Sequence, residues 1–301
     1  TVSRSSATGT VRGEAEVGGL VGRNAETAVR ASFATGVVSG TGGRAGGLVG
    51  NNEGGSVVDS YATGRVLGPA EVGGLVGRNA GLVNDSYATA GVTGFAEPPT
   101  APDRVGGLVG LNDAGRLYRV YAAGSVRVSG DASGTDVGGL VGANAGGEVV
   151  DAYWDVEATG RPGSAGGRGL TTAWMTGATP LSTMPGLSIG PEGRWRPRDG
   201  YPGLAWEEVP PFLLVEVTGT TGSVEEGGTV RVDAVVSNYG DAQARDTVRL
   251  TLVDAAGVAW ERDERFARVD VGQRDAVALS WTTRVGDRGR YVATVSTAND
   301  S

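Results

Sequence analysis

Gly46-Gly47-Leu48-Val49-Gly50 recurs four more times along the chain, and this repetition is the strongest indication of the fold. The five copies of GGLVG begin at Gly18, Gly46, Gly73, Gly106 and Gly138, with a period of 27–33 residues. Six positions after each first glycine stands an asparagine: Asn24, Asn52, Asn79, Asn112 and Asn144. A period of this length is typical of repeat proteins in which each unit stacks on the one before it.

A second motif lies between the pentapeptides and reads SYATG at Ser60–Gly64. Its aromatic column contains Phe33, Tyr61, Tyr87, Tyr121 and Tyr153, with Ser6 at the equivalent place in the first repeat. Short segments with β-branched or aromatic residues at alternate positions, separated by glycines, predict two or three strands per repeat. We therefore expect an all-β fold, a β-solenoid that resembles a β-helix. A β-propeller is the alternative, but its repeats usually need about 40 residues or more.

Stacked coils place equivalent residues about 4.8 Å apart, so each conserved position of the repeat becomes a column. The Leu and Val of GGLVG are expected to form aliphatic columns inside the coil, and the Tyr/Phe column an aromatic stack. The asparagines are expected to form an amide ladder that satisfies its own members and the turn backbone. Glycine is expected where the chain turns with positive φ or where coils approach closely.

The combination of GGLVG-x-N with SYATG-x-V-x-G resembles the GLUG motif, which recurs in tandem in large secreted and surface proteins of bacteria and archaea. The resemblance covers residues 1 to about 206. Its closing segments, YWD at 153–155, GLTTAWM at 169–175 and YPGLAW at 201–206, resemble the usual end of a GLUG array. The resemblance implies a surface structural module without catalytic residues.

Three domains are predicted: a GLUG-repeat solenoid over 1–154, an aromatic-rich cap over 155–209 and an immunoglobulin-like β-sandwich over 210–301. Four of the six tryptophans lie where the solenoid needs its open end covered, at Trp154, Trp174, Trp195 and Trp206. One helical turn is expected within 170–176. In the last domain, alternating patterns predict strands at 212–217, 230–236, 248–253, 276–281 and 291–295, with a turn at 238–241. This pattern resembles the cell-adhesion-related (CARDB-like) domains of prokaryotic surface proteins.

Composition excludes most enzyme chemistry. The 301 residues include 54 glycines and no histidine or cysteine, and all 26 basic residues are arginine. Disulfides, Cys or His metal sites, His-dependent triads and lysine Schiff bases are therefore impossible. A net charge of −8 argues against nucleic-acid binding, and no apolar run approaches the roughly 20 residues of a membrane span. Arginine-only basic usage with an acidic surplus fits a high-GC source, either halophilic or subject to codon bias alone.

Asp59 and Asp85 are the weak candidates for chemistry. They lie in one column, two positions before the aromatic, and stacked carboxylates can serve a polysaccharide-acting enzyme or bind a cation such as Ca²⁺. The same column contains Arg4, Ala31, Arg119 and Asp151, which favours a solvated face of mixed charge. We therefore predict no enzyme and no cofactor. Asn84 and Asn299 begin sequons and are candidate glycosylation sites. The Tyr and Trp residues of the cap are expected to pack in a core rather than to stack on sugars.

The predicted function is that of a non-enzymatic extracellular structural protein at the cell surface. The sequence starts inside a repeat without a cap, and open strand edges pair with other chains. Either further repeats precede this sequence, or the open end docks on another chain. In the second case we expect head-to-tail self-association into a filament, or contacts with other surface proteins. The alternative is a monomeric adhesin or glycan-binding stalk whose loops at 95–105 and 131–137 present the contact surface. A polysaccharide-acting β-helix enzyme is the weakest hypothesis.

Overall fold

The computed structural model describes residues 1–95, 104–130, 134–190, 193–207, 213–220, 224–238, 243–284, 287, 289 and 291–297. The chain divides into two compact units, Thr1–Ile189 and Gly190–Ser301. The described helices are three or four residues long, and none has the length and apolar character needed to cross a bilayer.

The first unit is a β-solenoid of about five coils, as predicted. The first coil contains β1 (Val2–Ser3), β2 (Ser6–Ala7), β3 (Val11–Gly13), β4 (Glu16–Gly18) and β5 (Val21–Ala25). The second contains β6 (Ala28–Arg30), β7 (Phe33–Ala34), β8 (Val38–Gly40), β9 (Arg44–Gly46) and β10 (Val49–Glu53). The third contains β11 (Ser56–Val58), β12 (Tyr61–Ala62), β13 (Val66–Gly68), β14 (Glu71–Gly73) and β15 (Val76–Asn79).

The later coils have the same plan with fewer breaks. The fourth contains β16 (Leu82–Ala88), β17 (Val92–Phe95), β18 (Arg104–Gly106) and β19 (Val109–Asp113). The fifth contains β20 (Arg116–Ala122), β21 (Val126–Ser129), β22 (Asp136–Gly138) and β23 (Val141–Ala145), and β24 (Glu148–Asp155) follows it.

Equivalent strands pair in parallel, coil on coil, and form four sheets. Sheet 1 contains β1, β2, β6, β7, β11, β12, β16, β20 and β24, with the later strand β25 (Arg168–Leu170) added beside β24. Sheet 2 contains β3, β8, β13, β17 and β21; sheet 3 contains β4, β9, β14, β18 and β22; sheet 4 contains β5, β10, β15, β19 and β23. The expectation of two or three strands per repeat is therefore too low. The extra strands arise because one left-handed residue divides the sheet 1 segment and because a corner separates sheets 2 and 3.

Two columns of apolar side chains fill the coils. One lies between sheets 1 and 4 and contains the Leu and Val of GGLVG, for example Leu75 and Val76, with the alanine of SYATG, Ala62. The other lies between sheets 2 and 3 and contains valines such as Val66 and Val72. Full burial of one such side chain contributes about 1.5–3 kcal/mol, and every coil repeats the same contribution.

The last coil is covered by its own chain. Trp154 stands in the inward column that alanine occupies in the earlier coils, and its ring fills the end of the core. The covering segment contains α1 (Val156–Thr159), β25 (Arg168–Leu170, paired with β24), α2 (Thr172–Met175), α3 (Pro180–Thr183) and a 3-10 helix at Pro185–Leu187. Within it, Gly163 accepts a hydrogen bond from Gly139 at 2.9 Å and Ala165 donates one to Val141 at 3.0 Å. The helical turn expected within 170–176 is α2.

The second unit is built from antiparallel strands. It contains β26 (Trp195–Arg196), β27 (Gly203–Leu204), β28 (Leu213–Thr220), β29 (Thr229–Asn238), β30 (Ala244–Asp254), β31 (Ala259–Val269), β32 (Arg274–Thr282) and β33 (Tyr291–Thr297). Two three-stranded sheets, β28-β29-β32 and β31-β30-β33, contribute to one apolar cluster. The immunoglobulin-like assignment and the predicted domain boundaries stay predictions. The turn predicted at 238–241 falls, except for Asn238, outside the described residues.

Sequence reasoning missed three strands of this unit: the two-residue β26 and β27, and the long strand β31. The centre of β31 reads Glu261-Arg262-Asp263-Glu264-Arg265, which contains no apolar residue. Among its described side chains, Ala267 and Val269, at its end, are the buried ones. Because β31 pairs with one neighbour, β30, and lies at a sheet edge, its charged residues are tolerated there.

Candidate functional site

The five asparagines of the repeat form a continuous amide ladder along sheet 4. From Asn24 to Asn144, each Nδ2 donates to the Oδ1 of the asparagine in the next coil, at 2.8, 2.7, 2.9 and 2.9 Å. Each Nδ2 also donates to a backbone carbonyl of the turn that follows. The three central asparagines are fully buried. Buried amides are stable only when they are paired, so the ladder fixes the register in which each coil lies on the next.

A glycine column runs beside this ladder. It contains Gly55, Gly81, Gly115 and Gly147. A Cβ on any of them would lie closer than 3.0 Å to the side-chain nitrogen of the asparagine in the preceding coil. In the first coil the equivalent residue is Thr27, whose neighbour Ala28 pairs with Ser56. The Thr27 hydroxyl donates to Asn24 Oδ1 at 2.6 Å, the atom that in each later coil accepts from the coil before.

The glycines of GGLVG lie where backbone segments nearly touch. A Cβ on Gly47 would be closer than 3.0 Å to the carbonyl oxygen of Gly74 in the next coil, and one on Gly50 would be 2.7 Å from the Val17 nitrogen in the previous coil. The first, second and last glycines of the pentapeptide are therefore required by close approach, between coils and between the two core columns.

The aromatic column is a stack on the outer face of sheet 1, while the neighbouring alanines point inward. Ring centroids lie 5.1 Å apart for Phe33–Tyr61, 5.0 Å for Tyr61–Tyr87 and 4.9 Å for Tyr87–Tyr121, and the ring planes are within 8° of parallel. Tyr153 pairs in register with Tyr121. Burial raises the pKa of Tyr153 above its ordinary value, and a hydrogen bond from the Gly186 backbone opposes this.

Asp59 and Asp85 lie in a column that is set by backbone conformation. Every residue of that column is left-handed, with φ between 44° and 50°: Arg4, Ala31, Asp59, Asp85, Arg119 and Asp151. Aspartate tolerates this conformation better than most side chains. The expectation of a solvated face is wrong for Asp59 and Asp85, which are both buried. The mixture of residues reflects a turn that each coil must make.

Asp85 is engaged by an arginine of the next coil. Arg119 donates to both of its carboxylate oxygens, at 2.8 and 3.0 Å, and to Asn84 Oδ1 at 2.8 Å. The hydrogen bond to Asp85 raises the pKa of Arg119. In the parts of the chain that the structure describes, no group of three or more acidic side chains is arranged to hold a metal ion. Cation binding at Asp59 and Asp85 stays a prediction.

Two further ladders escaped sequence reasoning. In sheet 1, the hydroxyls of Ser32, Ser60 and Ser86 accept hydrogen bonds from the backbone nitrogen of the serine in the previous coil, at 3.1–3.2 Å.

In sheet 3, a column of alternating charge contains Glu16, Arg44, Glu71, Arg104 and Asp136. Arg44 binds Glu16 at 3.0 Å and Glu71 at 2.8 Å, and Arg104 binds Glu71 at 3.3 Å. Reading the residue two before the first glycine of each GGLVG would have revealed this alternation.

The predicted modification sites and loops are only partly described. Asn84 lies within β16, and the buried Ser86 of its sequon donates its hydroxyl to the Asn84 carbonyl at 2.8 Å. Asn299 lies outside the described residues. Most of the loop at 95–105 and the start of the loop at 131–137 also lie outside them.

The four tryptophans that were expected to cover the open end of the solenoid divide into two groups. Trp154 and Trp195 are buried, as expected for core packing, whereas Trp174 is 51% exposed and Trp206 is 39% exposed. The expectation that all four pack inside is therefore wrong. Trp174 lies on the single turn of α2 with its side chain turned to solvent, whereas the next residue, Met175, is fully buried.

The family profile of the GLUG motif matches residues 41–67. This stretch carries the GLUG motif. It contains the second GGLVG, Asn52 of the ladder and Tyr61 of the aromatic stack, so the residues that hold the coils together belong to the motif itself.

Two curated proteins are similar in sequence. Halomucin of Haloquadratum walsbyi is 35% identical over an alignment 267 residues long. The alignment covers 78% of this chain and 3% of halomucin. A protein of Evansella cellulosilytica described as a Gly-rich membrane protein is 40% identical over 82 residues, 26% of this chain and 9% of that protein. The chain thus spans less than a tenth of the length of either relative.

Among solved structures, a β-glucosidase from Listeria innocua in complex with isofagomine aligns with 35% of this chain and 17% of its own, at 12% identity and a TM-score of 0.26. A β-glucosidase from Erythrobacter marinus aligns with 38% of this chain and 18% of its own, at 17% identity and a TM-score of 0.26. Likeness this low carries no argument about fold or activity.

Proposed function

We propose that this chain is a non-enzymatic structural module of an extracellular surface protein, in which the solenoid serves as a stiff spacer. The observation that carries the proposal is the set of ladders. Each coil is joined to the next by backbone pairing, a buried amide bridge, stacked rings and ion pairs, so bending between coils must break several contacts at once.

The GLUG motif and the two relatives support a surface location. One relative is described as a Gly-rich membrane protein, and the other is halomucin of Haloquadratum walsbyi. The acidic surplus of this chain, with a net charge of −8, fits a protein that stays dispersed in concentrated salt.

Immunogold microscopy of cells that produce the protein tests this location. Antibodies raised against the chain should label the outer surface of intact cells at the same density as permeabilised cells. Labelling that requires permeabilisation would place the protein inside the cell and contradict the proposal.

An adhesin or glycan-binding role is the second candidate, and the exposed Trp174 favours it. An indole in solvent offers a flat apolar face on which a sugar ring can stack. Binding to a glycan array should be lost in Trp174→Ala and kept in Phe266→Ala, which removes an aromatic side chain that is 68% exposed in the second unit. Equal binding by both variants and the parent chain would exclude Trp174 as the sugar platform.

End-to-end assembly into a filament is a separate proposal. It rests on strand edges that pair with another chain outside the register that the coils of one chain share. Sedimentation velocity at increasing protein concentration distinguishes this assembly, which should give a growing sedimentation coefficient, from a monomeric spacer, which should not.

A further inference from the structure

The first coil differs from the other four at the residue that a neighbouring coil would touch. In every later coil the position beside the amide ladder is glycine, because a Cβ there would press on the asparagine nitrogen of the preceding coil. The same Cβ would also meet backbone: on Gly147 it would lie 2.6 Å from the Gly115 carbonyl oxygen, and on Gly55 2.7 Å from the Thr27 carbonyl oxygen. A side chain at this position therefore cannot be accommodated by rotating an amide aside.

Thr27 has the Cβ that these glycines lack. A coil stacked in the same register on the first coil would place its asparagine amide against that Cβ. The Thr27 hydroxyl also supplies what such a coil would have supplied, since it donates to Asn24 Oδ1 at 2.6 Å. Asn24 is 1% exposed, so an unpaired oxygen there would be costly. Thr27 thus blocks the asparagine of a coil added before the first, and it donates to Asn24 Oδ1 the hydrogen bond that this asparagine would have donated.

We infer that Thr27 closes the N-terminal face of the solenoid to any further coil of the same register, including one from a second copy of this chain. The charge column agrees independently. A second copy that stacked its fifth coil on the first would bring Asp136 against Glu16, and like charges in adjacent rungs repel each other. End-to-end association of this chain in register is opposed at both columns.

An extended chain tests the role of Thr27. A copy of residues 28–55, the second coil, is placed directly before Thr1. In register, the copied Arg44 then lies opposite Glu16, and the copied Asn52 lies opposite Asn24 with its amide nitrogen against the Cβ of Thr27. Charge then favours stacking, and Thr27 alone opposes it. In this chain, trypsin should cleave at the copied Arg30 and Arg44 as fast as in an unfolded peptide, and the Tm should equal that of the parent.

Thr27→Gly in the extended chain should reverse both results. The added coil should become resistant to trypsin, and the Tm should rise by at least about 2 °C, because an added coil contributes its own interface energy. Thr27→Ala keeps the Cβ without the hydroxyl, and its added coil should stay sensitive. Protection with Thr27 or Ala in place, or sensitivity with Gly, would overturn the inference.

Substitutions in the unextended chain give a second measurement. Gly115→Thr should lower the Tm by several degrees, since its Cβ would meet the Asn79 carbonyl oxygen at 2.7 Å. Gly9→Thr is the control, because no atom lies within 4 Å of the Cβ it adds. An unchanged Tm in Gly115→Thr would show that the ladder accommodates a side chain and would also overturn the role of Thr27.

Discussion

A single asparagine in this solenoid belongs to three coils at once. Asn79 accepts from Asn52, donates to Asn112 and donates to the Gly81 carbonyl. Its side chain is fully buried. Removal of the Asn79 amide takes away the ladder partner of Asn52 in one neighbouring coil and of Asn112 in the other, at a place that water does not reach.

Asn79→Ala should lower the free energy of unfolding by about 2–3 kcal/mol, because it removes the ladder partner of one Asn52 N–H and of the Asn112 Oδ1 inside a buried network. Urea denaturation measures the loss. Asn144→Ala is the matched control at the exposed end of the ladder, and we expect less than about 1 kcal/mol there. Equal losses at both positions would mean that the ladder does not act as a buried network.

The left-handed column allows a stabilising substitution. Ala31 has φ of 48°, a conformation that costs an alanine about 1 kcal/mol and glycine almost nothing. Ala31→Gly should therefore raise the free energy of unfolding by about 0.5–1 kcal/mol. Ala28→Gly, three residues earlier within β6, should lower it by a similar amount. A loss of stability in both variants would contradict the backbone explanation of this column.

Tyr153 should make stability depend on alkaline pH. Its pKa is raised in the folded chain from the ordinary value of 10.0, chiefly by burial. The folded state therefore holds this proton more tightly than the unfolded state, and the resulting stability is complete below pH 10 and is lost as pH rises through the folded pKa. Between pH 9 and pH 11, the free energy of unfolding of Tyr153→Phe should therefore decrease less than that of the parent chain. Identical pH profiles for the two chains would exclude Tyr153 as the source.

At the scale of an element, the charge column of sheet 3 tests how much ion pairs contribute. Glu71 lies between two arginines, and its side chain is 12% exposed. Glu71→Gln should lower the free energy of unfolding by about 0.5–1.5 kcal/mol in dilute buffer and by less in 1 M NaCl, where screening is strong.

The control for this substitution is Glu53→Gln. Glu53 also pairs with an arginine, Arg23, but its side chain is 47% exposed, so no measurable change is expected. If 1 M NaCl leaves the effect of Glu71→Gln on the free energy of unfolding unchanged, packing rather than charge explains that effect.

Columns of one residue type were predicted more readily than positions that are set by backbone conformation, by alternating charge or by a single residue. GGLVG and the asparagine column have a period, and a period in sequence becomes a column in space. The left-handed turn at Asp59 has no fixed residue type, because a backbone conformation selects weakly among Asp, Arg and Ala. Thr27 occurs once, so only its contrast with four glycines in a known register reveals its role.

At the scale of the whole molecule, the two units have separate apolar cores. We expect their unfolding transitions to be distinguishable, because each unit has its own core and its own strand pairing. Leu108→Ala in the solenoid should shift one transition by about 2–5 kcal/mol, and Leu250→Ala should shift the other by a similar amount. Calorimetry separates the two; a single transition that both substitutions shift equally would show that the chain unfolds as one cooperative body.

The coils differ in length, yet their strands keep one register. Between β17 and β18 the fourth coil has eight residues, at 96–103, where the third coil has two between β13 and β14, and the pairing of Val72 with Val105 is unaffected. Gene duplication can therefore copy a pair of internal coils, which keeps the charges of sheet 3 alternating, and insertion can enlarge a corner without a change in register. Rod length and surface features are free to evolve separately in such an array, one by the number of copies and the other by drift within each copy.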